Sequence, residues 1–211
     1  MNVTDYTQPK STIVGPILPS RFGSYMLDTI KSWLSDSRNI LAPELKSLTY
    51  VDGNSEAAHN ASSVYVDIEW PENTKLAGKT PAIIISYGEM TMNNVGTGIP
   101  VASCNFPGKQ FTKQAEYSIN IVVRTAAYAG TQYLSEMLFM YLHTFAVDLQ
   151  RDSGVSKFNV MQLTPAQLSQ SPGDSQDVFM STIVCKVQST FNINVDTTGP
   201  VFRRISLNQT I

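Results

Sequence analysis

Few side chains in this chain of 211 residues have the types and spacing that chemistry needs. A metal centre wants three or four His, Cys, Asp or Glu ligands at short spacing. The chain has two histidines, His59 in a polar stretch and His143 in a helical one, and neither has such company. Cys104 and Cys185 lie far apart with no Cys-x-x-Cys pattern, so each reads as a small apolar residue. No Gly-x-Ser-x-Gly elbow is present, although a triad whose members meet only in the fold stays open. Asp67 and Glu69 are two residues apart on one predicted strand and read as its solvent face rather than as a hydrolytic pair. Gly96-Thr97-Gly98 lacks the third glycine and the flanking strand and helix of a dinucleotide site. Lys75, Lys79, Lys109 and Lys113 are scattered, without the continuous basic run or aromatic interleaving of a phosphate-binding surface. We therefore assign no catalytic, metal or cofactor-binding residue from the sequence, and expect no cofactor and no enzymatic activity.

The elements around these residues are easier to read. Residues 1–19 carry Pro9, Pro16 and Pro19 and read as an N-terminal arm, either disordered or pinned on a neighbour. With Ser20 as N-cap, Phe22, Met26, Ile30, Trp33 and Leu34 recur at helical spacing. Leu45, Leu48 and Tyr50 suggest a short strand. Val64, Val66, Ile68 and Trp70 alternate with Tyr65, Asp67 and Glu69, which predicts a half-buried strand. The run Ile83-Ile84-Ile85 predicts a strand buried on both faces, from Ala82 to Tyr87. Residues 88–113, rich in Gly, Asn, Met and Pro, read as a long hairpin or loop insertion. Tyr117, Ile119, Ile121 and Val123 form the clearest amphipathic strand. A helix at about 132–151 follows, with Leu134, Met137, Leu138, Tyr141, Leu142, Phe145 and Leu149 in its stripe and Gly154 as its left-handed cap. Phe158 to Leu163 predicts a short strand, and Val178 to Val195 one long strand. Val201 to Leu207 is read as a further strand within a C-terminal tail, residues 196–211.

The expected fold is one α+β domain over residues 20–207: a mostly antiparallel sheet of about four to five strands, two flanking helices, a long hairpin or loop, and extended terminal arms. Composition adds a second expectation. Only 15% of residues are charged, against about 25% in an average soluble domain. Ser, Thr, Asn and Gln, 65 in all, fill the gap. Interfaces are depleted of charge at their cores, so this composition suits an assembled protein. The net charge of −2 argues against a dedicated nucleic-acid binder. No apolar run approaches the ~20 residues of a membrane span, and residues 1–20 do not read as a secretory signal. The two isolated cysteines point to a reducing compartment.

Four stretches in their order carry a resemblance: "SRFGSYMLDTIKSWL", the pair "SVYVDIEWP" and "PAIIISYGE", "EYSINIVVRT" followed by "TQYLSEMLFMYLHTFAVDL", and the late "DVFMSTIVCKVQSTFNINV". Together they resemble the tail terminator, or tail-completion, proteins of tailed bacteriophages. The resemblance implies a virion protein of the tail neck, assembled in the host cytoplasm as a ring, commonly a hexamer. Such a ring caps the tail tube, stops its polymerisation and joins the tail to the head-side connector or stopper. The implied partners are further copies of the chain, the tail-tube protein, the connector and, in a contractile tail, the sheath. Genome DNA would pass through the lumen without sequence-specific binding, and no membrane is involved.

On that reading the candidate interface residues are Met90, Met92, Asn93 and Asn94, with Phe106 and Phe111, in the insertion, and Val201, Phe202 and Ile205 in the tail. Deleting residues 90–111 is expected to leave a folded subunit that no longer assembles. Two other readings stand beside it. One is a different head–tail joining protein, such as a head-completion or stopper subunit, or a tail-tube subunit. The other is a small α+β enzyme or ligand-binding domain.

Overall fold

The computed structural model describes residues 18–40, 45, 48, 50–51, 63–68, 81–94, 108–169, 178–196 and 205–209, with backbone alone at 37, 94, 108–112, 192–196 and 205–209. Helix α1 spans Pro19–Ser35. Its N-cap is Leu18, where the sequence pointed to Ser20, because Pro19 opens the helix. Proline's fixed φ suits the first helical position, and its missing N–H would have been unpaired there anyway. At the other end the Asn39 side-chain amide donates to the Trp33 carbonyl at 3.0 Å, satisfying one of the acceptors a helix end leaves over. Leu45, Leu48 and Tyr50 form no described strand. Leu48 N–H donates to Leu45 C=O at 2.8 Å in a turn, and Leu45 and Tyr50 are buried in the core.

Seven strands form one sheet. They are β1 Tyr65–Ile68, β2 Ala82–Asn94, β3 Gly108–Thr125, β4 Lys157–Leu163, β5 Gln167–Leu168, β6 Phe179–Asp196 and β7 Ile205–Gln209. The order is β1-β2-β3-β6-β4, with β5 and β7 also paired to β6. Every pair is antiparallel except β1 with β2. That parallel pair departs from the antiparallel pairing that short connections allow. It is possible because the link between the two strands is about a dozen residues long, the length a crossover needs. Strands β3 and β6 have 18 residues each, roughly 60 Å of extended chain. They pair without interruption from Gly108↔Asp196 to Thr125↔Phe179.

Two further helices, α2 Tyr128–Thr144 and α3 Ala146–Ser153, stand where the sequence predicted one. The break is at Phe145, whose φ of −97° and ψ of 14° leave the helical region. Gly154 closes α3 at φ 74°, and its N–H reaches the Arg151 and Gln150 carbonyls. Here the expected left-handed cap holds.

All three helices pack on one face of the sheet. Phe22, Met26, Ile30 and Leu34 of α1 meet Ile83, Ile85, Tyr117 and Ile119, while Leu134, Leu138 and Leu142 of α2 meet Ile121, Ile183 and Cys185 in the same cluster. The opposite face holds a smaller cluster, Ala82 and Ile84 with Tyr65 and Val122, in which no helix takes part. The three isoleucines in a row are thus buried on both faces, as their pattern required. The result is an α+β domain whose helices lie in one layer.

Candidate functional site

The segment 88–113, expected to be a hairpin or loop, is strand at both of its described ends, paired antiparallel as the arms of a hairpin are. β2 continues to Asn94, and β3 already begins at Gly108. The transition is a bulge between Tyr87 and Met90. Gly88 is required within it, since a methyl there would lie 3.3 Å from Ser118 Cβ and closer still to its hydroxyl. Beyond the bulge, Met90 pairs with Tyr117, Thr91 with Glu116, Met92 with Ala115 and Asn93 with Gln114. Strand β7 pairs with the far end of β6, from Phe191↔Gln209 to Val195↔Ile205. The distal sheet therefore has four strands in the order β2-β3-β6-β7.

Residue types alternate across this distal sheet by row. Phe111, Ile193 and Leu207 stand in one row, and Lys109, Val195 and Ile205 in another. Between and beyond them run Gln110–Asn194–Ser206, Thr112–Asn192–Asn208, Asn93–Gln114–Thr190 and Thr91–Glu116–Gln188. These polar rows hold one charged residue, Glu116, and the Gln114 amide donates to Gln188 Oε1 at 3.4 Å. Here Ser, Thr, Asn and Gln occupy alternate positions of long strands. Period two assigns alternate rows to opposite faces.

Of the nine interface candidates, the structure brings six to the distal sheet. Met90, Met92 and Asn93 are exposed on β2, and Met92 is 53% exposed. Asn94 ends β2, Phe111 lies on β3 and Ile205 opens β7. Phe106, Val201 and Phe202 lie outside the described residues. Deleting residues 90–111 would therefore remove ladder from both β2 and β3, not merely a loop.

A second surface was missed by the sequence reading. A groove between α1 and α2–α3 opens as two adjoining hollows of about 410 and 470 Å³ that share Tyr141 and Phe145. One is lined by Tyr25, Asp28, Asp148 and Asp152, the other by Trp33, Met137 and Met140. Trp33 stacks on Tyr141 at 5.4 Å. Phe145, placed in the buried stripe by its spacing, is 45% exposed, because the helix break turns it out of the core. Met140 and Val147 are exposed beside it.

The residues first considered for chemistry do not converge among those described. His143 is exposed on α2 and stacks on Phe139 at 6.1 Å. Cys185 is buried in the sheet, and desolvation pushes its thiol up to about 12. Asp67 accepts from Tyr65 Oη at 2.5 Å, and burial together with this bond raises the phenol. Lys109 and Lys113 lie on β3. His59, Cys104, Glu69, Gly96, Gly98, Lys75 and Lys79 lie outside the described residues. Among the described residues no group of three or more His, Cys, Asp or Glu could hold a metal, and no helix is long and apolar enough to cross a membrane. No family model matches the chain, and no curated protein matches it.

Proposed function

We propose that the chain is a structural ring protein of a tailed-bacteriophage neck: a tail terminator that caps the tail tube, halts its polymerisation and docks the head-side connector. The observation that carries this reading is the distal four-stranded sheet. It prolongs β3 and β6 well beyond the five to six residues of a mean strand. It displays Met90 and Met92, and its polar rows hold a single charge, Glu116, which suits a surface built to meet neighbours rather than solvent. The helix-layer groove, lined by exposed Met140 and Phe145, offers a second surface for a different partner. In this role the work is done by interfaces. Heterologous contacts close by rotation, and the far side of the ring lacks what another tube ring would need.

The test is the mass and shape of the purified chain, by native mass spectrometry and negative-stain microscopy, alone and with tail-tube subunits. A closed ring that sits at the end of tubes and limits their length is the expected result. A monomer that never associates would count against the reading. The alternating four-stranded sheet also favours a second reading, a tube subunit. That reading predicts that rings of this chain stack into tubes by themselves.

A further inference from the structure

We propose that neighbouring copies are joined edge to edge through the sheet: β7 of one copy adds to the distal part of β2 of the next. The proposal rests on the ring reading above and names the joint that closes it.

Among the described strands, the distal sheet ends in two unpaired edges. Strand β1 covers β2 only from Ala82 to Ile85, and no described strand pairs with that side of β2 from Ser86 to Asn94. Strand β7 pairs with β6 on one side, and no described strand lies on its other. Exposed edges normally carry charge or proline, which blocks pairing with another chain. Residues 86–94 carry one charge, Glu89 in the bulge, and residues 205–209 carry none; neither stretch contains proline. After the bulge β2 has five residues, Met90 to Asn94, and β7 has five, Ile205 to Gln209. Both alternate apolar with polar: Met90, Thr91, Met92, Asn93 against Ile205, Ser206, Leu207, Asn208. Strand addition draws its affinity from main-chain hydrogen bonds and its specificity from alternate side chains.

Strand direction decides which edge meets which. β2 is antiparallel to β3, β3 to β6 and β6 to β7. The four strands thus run down, up, down, up. An axis along the strands keeps these directions in every copy. It sets β7 of one copy, running up, against β2 of the next, running down. The antiparallel alternation then continues across the joint because each copy supplies an even number of strands. Such a contact is heterologous, and a closed ring leaves no edge over.

Two variants, each lacking one edge, test the joint without needing its register. The first deletes residues 197–211 and so removes β7. The β6 edge it uncovers runs parallel to β2 and cannot replace β7 in an antiparallel joint. The second carries Thr91→Pro, with Met92→Pro as its companion, since in an edge strand alternate N–H groups face outward and only one of the two prolines breaks the strand's own ladder. Circular dichroism and thermal melts select the folded variants. Wild type is expected to form a ring, each variant alone a monomer, and the two mixed a heterodimer, because one intact joint remains between them. A ring formed by either variant alone would overturn the joint while leaving the ring reading standing. A homodimer of either variant would overturn it in favour of a two-fold contact. A mixture that stays monomeric would also overturn it. A wild-type chain that is monomeric at every soluble concentration would sink the ring reading and the joint together.

Discussion

The ring of Tyr87 lies against the backbone of Gly23, so close that a methyl at position 23 would come within 2.6 Å of the tyrosine Cε1. This contact sets α1 down on β2 just before the bulge that starts the distal sheet. Two effects oppose each other in Gly23→Ala. Alanine gains about 1 kcal/mol of helix propensity, and the clash costs about 1–3 kcal/mol of overpacking. The net expectation is a loss of about 1 kcal/mol. In a Tyr87→Ala background the clash disappears and the same substitution should stabilise. Urea melts of the four proteins in this cycle measure the sign change.

Phe22 is fully buried, with its ring centroid 5.5 Å from that of Phe158 and 6.4 Å from that of Tyr117. Phe22→Ala should cost about 3–5 kcal/mol. Val147→Ser, at a site 76% exposed, should stay within about 0.5 kcal/mol. Chemical denaturation of both variants checks the contrast. An equal loss in the two would mean that the exposed surface of α3 around Val147 is part of the core.

Gly154 holds the left-handed cap of α3 at φ 74°. Gly154→Ala should cost about 1–2 kcal/mol, the penalty of placing a Cβ in that region. Gly154→Asn should cost less, since asparagine tolerates it better. Thermal melts of the pair report the order.

Cys185 gives a pH signature. Burial raises its folded pKa from 9.0 to about 12, so the unfolded chain loses its proton first. Stability is unaffected well below pH 9 and falls as pH rises from about 9 toward about 12. The Tyr117 phenol, also raised by burial, adds to the fall above its ordinary value of 10.0. Melting temperatures across this range should decline less steeply in Cys185→Ala. In a Cys104→Ser background, Cys185 should resist a maleimide at pH 8 until denaturant is added. Rapid labelling of the native protein would show that the sheet opens readily at that strand.

The core was legible in the sequence wherever apolar residues kept a period. Phe22, Met26, Ile30 and Leu34 announced α1, and Tyr117, Ile119, Ile121 and Val123 announced the buried face of β3, because burial of one face demands that spacing. The Gly154 cap was equally plain, since glycine pays no Cβ penalty there. The ends of the elements were less so. Pro19 took over the start of α1 from Ser20 because a helix start depends on backbone geometry as well as on capping side chains. The sequence left the distal half of β2 open between hairpin and loop because Gly88, Asn93 and Asn94 are residue types that strands disfavour. It is the ladder to Tyr117, Glu116, Ala115 and Gln114 that holds Met90 to Asn93 extended.

 

Sequence alone determined the class of the fold, the buried faces and the scarcity of charge, because local periodicity and composition record what each segment must hide. Only the tertiary structure decided which neutral residues share a surface. Pairing of β3 with β6 over 18 residues gathers Gln110, Thr112, Gln114, Asn192 and Asn194 into adjoining rows from segments far apart in the chain. The break at Phe145 turns an expected core residue outward. The directions of β2 and β7, and so the edges they offer, follow from long-range pairing, which no short window of sequence encodes.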